Sequence, residues 1–282
     1  MNKNIKLVPV EIPIVVSSKP NLGAFNLSTT PGSFDAFRVD LETPIRIPKN
    51  AKNCTLQVLS SSIWSNEPNV ITGVNDTLRV TGPDTLDVLT VFDIVIPQGS
   101  YSVSELNQRI QIELSNAGAK TSPNAIISLT PDEATQKVEI RIFYTGAIVD
   151  FTQPNSCWEI LGFTPATVLT ATFAGESFLA PNPAKFNVIN YYLISSSLVS
   201  QGLRFNNTYR QIINQTNIDV RPNSLIVSQP FNPSKIECPE LVGQVRSNFD
   251  IRLLKDDFTS ANTRGEYFSV RMSITYLEPI EF

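Results

Sequence analysis

The chain has 282 residues, 41% of them apolar and 17% charged, which is enough to bury a full hydrophobic core without staples. Lys and Arg number 22 against 26 Asp and Glu, and this net charge of -4 argues against wrapping nucleic acid through a basic surface, so no specific nucleic-acid partner is expected. There is no His, which removes the commonest general base, the Ser-His and Cys-His nucleophile pairs and the usual zinc ligand. No catalytic residue, metal or cofactor is expected.

Residues 1–16 place Lys3 and Lys6 ahead of apolar residues, but Pro9, Glu11 and Pro13 interrupt what would be the apolar core of a signal peptide. No secretory signal is expected, and no run approaches the ~20 apolar residues of a membrane-spanning helix. Residues 1–30 show no sustained period of 2 or 3.6, and their prolines disfavour a strand ladder. They read as an extended N-terminal arm. Its apolar residues Ile5, Leu7, Val8, Val10, Ile12, Ile14, Val15 and Val16 cannot form a core alone and are the candidate assembly-interface residues.

Strand signals begin at Phe34. Phe37, Val39 and Leu41 alternate with charged residues until Pro44 and Pro48, and Cys54, Leu56 and Val58 alternate next. Leu78 to Val80 follows, and from Leu86 to Ile96 the residues Val88, Thr90, Phe92, Ile94 and Ile96 share a face until Pro97.

Ser102 with Glu105 forms a capping box, Leu106, Ile110 and Leu114 fall at helical spacing, and Gly118 supplies a stop, so residues 103–116 are predicted to be an amphipathic helix. A second box, Ser156 with Glu159, introduces a short helix ended by Gly162. Val138, Ile140, Ile142 and Tyr144 alternate as a strand, and the run from Val188 to Ile194, apolar on both faces, belongs in the middle of a sheet. Phe249, Ile251 and Leu253, then Phe268, Val270, Met272, Ile274 and Tyr276, read as a long closing hairpin. The sum is an all-β, jelly-roll sandwich of eight to ten strands, with two short helices inserted in connections and an extended N-terminal arm over 1–30 ahead of the jelly-roll domain 31–282. Leu106, Ile110, Leu114, Trp158, Phe268, Val270 and Met272 are expected in the core, and Trp64 nearer the surface.

The remaining polar clusters suggest structure before chemistry. Asp132 with Glu133, Asp84 with Asp87, and Asp256 with Asp257 mark polar turns; the alternative is a weak cation site at Asp256, Asp257 and Asn262. Cys54, Cys157 and Cys238 lack metal-ligand spacing and read as reduced, buried thiols. The triplets at Ser60 and Ser195 have no activating base, and Thr263-Arg264-Gly265-Glu266 reads as a turn at the hairpin tip.

Several segments in order carry a resemblance. Ile94-Val95-Ile96-Pro97-Gln98-Gly99-Ser100-Tyr101 leads into Ser102-Val103-Ser104-Glu105-Leu106-Asn107; Trp158-Glu159-Ile160-Leu161-Gly162-Phe163, Tyr191 to Val199 and Ile251-Arg252-Leu253-Leu254-Lys255-Asp256 follow. Over roughly residues 34–280 this order resembles the penton, or vertex, proteins of virophages, polinton-like viruses and related double jelly-roll lineage viruses. The resemblance implies a structural capsid protein of the virion, a homopentamer closing the fivefold vertices of an icosahedral shell, with trimers of the major capsid protein as neighbours. Length disfavours a major capsid protein with two jelly rolls. A jelly-roll receptor- or glycan-binding protein, such as a spike or fibre head, is the alternative; its best stacking residue would be Trp64.

Overall fold

The computed structural model describes residues 5–281. It forms two compact units, one that runs to Glu67 and resumes at Ile189, and one made of Pro68–Val188. The expected boundary at residue 30 is therefore replaced by an insertion. In chain order the first unit opens with β1 (Ile5–Ser17), β2 (Ala24–Asn26), β3 (Ala36–Arg46) and β4 (Lys52–Trp64). The second holds β5 (Thr77–Pro83), β6 (Leu89–Val95), α1 (Val103–Asn116), β7 (Ile127–Asp132), β8 (Lys137–Ile142), β9 (Ile148–Asp150), α2 (Trp158–Leu161), β10 (Val168–Thr170) and β11 (Glu176–Leu179). The first resumes with β12 (Tyr191–Ser196), the small hairpin β13 (Arg204–Phe205) and β14 (Thr208–Tyr209), β15 (Ile212–Asn217), β16 (Leu225–Ser228), β17 (Ile236–Glu237), β18 (Val245–Leu254) and β19 (Ser269–Glu281).

The first unit is a complete jelly roll. One sheet has the order β1-β19-β4-β16 and the other β15-β12-β18-β3, with β2 added beside β3. Counting the eight principal strands along the chain, the orders are 1-8-3-6 and 5-4-7-2, which is the interleaving of two Greek keys that defines a jelly roll. Apart from the paired β12 and β15, successive principal strands change sheet, so β18 and β19 do not pair; β18 lies between β12 and β3, and β19 between β1 and β4. The expected closing hairpin is thus a crossing between sheets. Two apolar faces close in sequence but each needing its own opposite sheet are better buried this way than by pairing with each other. The inner faces meet in a core that includes Phe37, Leu56, Phe249, Ile251, Met272 and Ile274, with Phe37 edge-on to Phe268 at 5.4 Å.

The expected arm is the first strand of this roll. β1 pairs antiparallel with β19 from Ile5 opposite Glu281 to Ser17 opposite Ser269; residues 1–4 of the arm lie outside the described residues. Prolines do not prevent the ladder because Pro9 and Pro13 are four apart, so their missing N–H groups fall on one side of the strand. β1 is the edge of its sheet, and that side needs no partner. Pro44 is likewise held within β3.

In the second unit one sheet has the order β10-β9-β5-β6 and the other β11-β8-β7. α1 has the bounds and the capping box read from the sequence: Ser102 N–H donates to Glu105 Oε2 at 2.8 Å, and Glu105 N–H to Ser102 Oγ at 3.3 Å. Leu106, Ile110 and Leu114 are buried, and one turn apart on the same helix Asn107 and Gln111 seal the edge of β7. Asn107 Oδ1 accepts from Leu129 N–H at 2.8 Å, and Gln111 Nε2 donates to the Ile127 carbonyl at 2.7 Å.

The second capping box does not form. Ser156 Oγ is buried with no hydrogen-bond partner, Cys157 holds the cap position of α2, and Glu159 pairs with Lys185 at 2.6 Å. A single turn that follows a buried segment leaves Ser156 facing inward. The segment from Leu86 also differs from expectation: Asp84 Oδ1 accepts from Leu86 and Val88 N–H, making a tight turn, so Val88 is exposed while Phe92, Ile94 and Ile96 are buried. Leu106, Ile110, Leu114, Phe268, Val270 and Met272 are buried as expected. Trp158 is only partly buried, packed on the rim of the second unit's core, and Trp64 is partly buried as well.

Candidate assembly surfaces

The eight candidate residues of β1 divide by strand alternation. Ile14 and Val16 are buried and Val10 and Ile12 pack partly against the same core, with Val8 half-buried on that face. Ile5 (62% exposed), Leu7 and Val15 (73%) point outward. Of the eight expected interface residues, these three are the ones exposed. The register sets Leu7 opposite Pro279 and Pro9 opposite Leu277, an apolar patch at one end of the outer face. Beside it the face turns polar: the Thr55 and Thr275 hydroxyls meet at 2.8 Å and Gln57 Nε2 donates to Ser273 Oγ at 3.2 Å.

A second apolar row was not anticipated. β6 is the edge of its sheet and exposes Leu89, Val91 and Val95, continued by Val88 and by Leu86 at 81% exposure in the preceding turn. Arg79 and Asp93 pair across this face at 2.5 Å. The signal was present in the sequence, where Leu89, Val91 and Val95 put apolar residues on the second phase of the alternation from Leu86 to Ile96 as well, but only one face can enter a core. An edge strand with an outward apolar row is a surface that natural proteins usually protect unless it is covered by a partner.

The polar clusters serve the fold. Asp256 accepts from Asn190 N–H and Nδ2 at 2.9 and 3.1 Å; Asp257 accepts from Thr259 N–H and Oγ1 at 2.8 and 2.6 Å, which holds its carboxyl below the usual range; Asn262 Oδ1 accepts from Arg264 N–H at 3.1 Å. The three side chains of the alternative cation site are each turned to a different donor. Among the described residues no group of three or more His, Cys, Asp or Glu side chains stands close enough to hold a metal ion. Thr263 anchors its turn from within, accepting from Phe34 N–H at 2.8 Å, and the left-handed Arg264 and Gly265 form an exposed tip.

Glu67 is a carboxylate shifted chiefly by burial. Burial raises its carboxyl above the usual value of 4.5, although Asn262 N–H donates to it at 2.7 Å and Lys255 stands 3.7 Å away. The native state therefore binds this proton more tightly than the unfolded chain, and its contribution to stability falls as pH rises from 4.5 through the raised value. Glu67→Gln keeps an acceptor for Asn262 and should remove that decline. Urea midpoints measured from acid to neutral pH check this; parallel curves for the two proteins would refute it.

No family model and no curated protein matches the chain. Among solved structures it is similar to the penton protein of mavirus, with a TM-score of 0.47 and 12% identity over 97% of this chain and 100% of that one. It is also similar to a chain in the structure of the Sputnik virophage, with a TM-score of 0.45 and 13% identity over 94% of this chain and 97% of that one.

Proposed function

We propose that this chain is a structural subunit of a viral shell, a penton that closes into a homopentamer at the fivefold vertices and is flanked by trimers of the major capsid protein, and that it resides in the virion. The observation that carries this reading is the complete jelly roll whose edge strand β1, like the edge strand β6 of the inserted unit, leaves outward apolar residues uncovered. Such uncovered surfaces suit a heterologous contact, and a ring results when that contact closes on itself. The fivefold order and the major-capsid neighbours come from the resemblance of the sequence segments between Ile94 and Asp256. The same segments run through both units, which accords with a subunit used whole.

Native mass spectrometry of the full chain at micromolar concentration tests it. The expected species is a particle of five 31.2 kDa chains. A ring of three or six would end the vertex assignment, and a monomer that binds glycans on an array would transfer the protein to the receptor-binding alternative.

A further inference from the structure

Two of the three cysteines, far apart in sequence, meet across a strand pair. β17 pairs with β4 through Ile236 opposite Leu56 and Glu237 opposite Thr55, and the next step of that register sets Cys238 opposite Cys54. Cys238 N–H donates to the Cys54 carbonyl at 3.0 Å. Directly opposed, hydrogen-bonded residues of an antiparallel pair have Cα atoms about 5.5 Å apart, within the roughly 4.4–6.8 Å that disulfides span. The sulfurs are 3.4 Å apart, and both residues are buried and reduced. Closing to a bond requires about 1.4 Å of sulfur movement, within reach of small χ1 rotations. Cys54, although buried, is among the residues that line a surface cavity with Lys49, Lys52, Thr55 and Glu237, which brings solvent close to the pair. No comparable partner faces Cys157, whose thiol burial raises to about 12.

We propose that Cys54 and Cys238 form a redox-closable pair that hydrogen peroxide converts into an intrachain disulfide stapling the β16–β18 connection to β4. Either sulfur can donate to the other, and Cys54 is taken as the one that reacts first because it borders the surface cavity. The Cys54 thiolate attacks one peroxide oxygen; the S–O bond forms, the O–O bond breaks, and the leaving hydroxide takes up a proton equivalent to the one Cys54 released, giving water. Cys238 sulfur then attacks Cys54 sulfur, the S–O bond breaks, and hydroxide leaves with the Cys238 proton as a second water. Each sulfur gives up one electron and peroxide takes two. The staple joins positions 184 residues apart, so it should raise the thermal midpoint by roughly 5–10 °C. This inference is independent of the capsid reading.

The test uses the reduced, folded full chain treated with hydrogen peroxide, then denatured in alkylating reagent. Free thiols should fall from three to one, a non-reducing digest should contain the Cys54 and Cys238 peptides linked, and Cys157 should be alkylated. In Cys238→Ser the second step has no nucleophile, so Cys54 should be trapped as a sulfenic acid by a cyclic 1,3-dione with no linked peptide. Three surviving thiols, a link between two chains, a link to Cys157, or a closed pair with an unchanged midpoint would overturn the proposal.

Discussion

Deletion of residues 2–17 will abolish the cooperative unfolding transition of the jelly roll. β1 contributes Ile14 and Val16 to the core outright and Val10 and Ile12 in part, and it covers the flank of β19, whose Val270, Met272 and Ile274 are buried in the intact chain. Burying an Ile or Val side chain is worth roughly 1.5–3 kcal/mol, so two full and two partial losses come to about 5–8 kcal/mol. That is comparable with the whole stability of a domain, roughly 5–15 kcal/mol. The outward residues give the contrasting result. Ile5→Ser, Leu7→Ser and Val15→Ser together touch no core and should leave the midpoint almost unchanged while weakening self-association. Thermal and denaturant unfolding read the first expectation and native mass the second. A truncated chain that unfolds at the full-length midpoint would return this segment to the status of an arm.

This contrast also explains what could be read from the sequence. The ends of α1 were legible because everything that decides them is local: Ser102 and Glu105 cap each other, and the stripe of Leu106, Ile110 and Leu114 repeats within a few turns. The jelly-roll class was legible from the period-2 runs. β1 was not, because whether Pro9 and Pro13 break a ladder depends on which side of the strand is paired, and that is settled by β19 at the other end of the chain. For the same reason Phe249–Leu253 and Phe268–Tyr276 looked like a hairpin, since alternation reports a buried face without saying which strand lies beside it. The insertion Pro68–Val188 has no compositional mark, as both units are β-rich with similar turns. Of the interface candidates, alternation alone could have separated Ile5, Leu7 and Val15 from Ile12, Ile14 and Val16 once the segment was taken as a strand.

Gly162→Ala will destabilise the inserted unit by about 3 kcal/mol or more. The sequence marks Gly162 as the end of α2, and in the structure it has φ +80°, with its N–H returned to the Glu159 carbonyl. Left-handed backbone alone costs an alanine about 1 kcal/mol relative to glycine. Most of the loss comes from a neighbour distant in sequence. A Cβ built on Gly162 would lie 2.2 Å from the Asn182 carbonyl oxygen, which is backbone and cannot rotate away. That segment is fixed on both sides, because Asn182 N–H donates to the Gly162 carbonyl at 3.1 Å and Ala184 N–H to the Gln136 carbonyl at 2.8 Å. Relief therefore requires breaking these bonds and moving Phe163, which stacks on Phe151 at 5.1 Å in the core. Gly118→Ala is the control: φ is +89°, yet nothing lies within 4 Å of the added Cβ, so only the backbone cost of about 1 kcal/mol applies. Denaturant midpoints of the two variants separate strain from collision, and equal losses at Gly118 and Gly162 would show that the Asn182 carbonyl yields without cost.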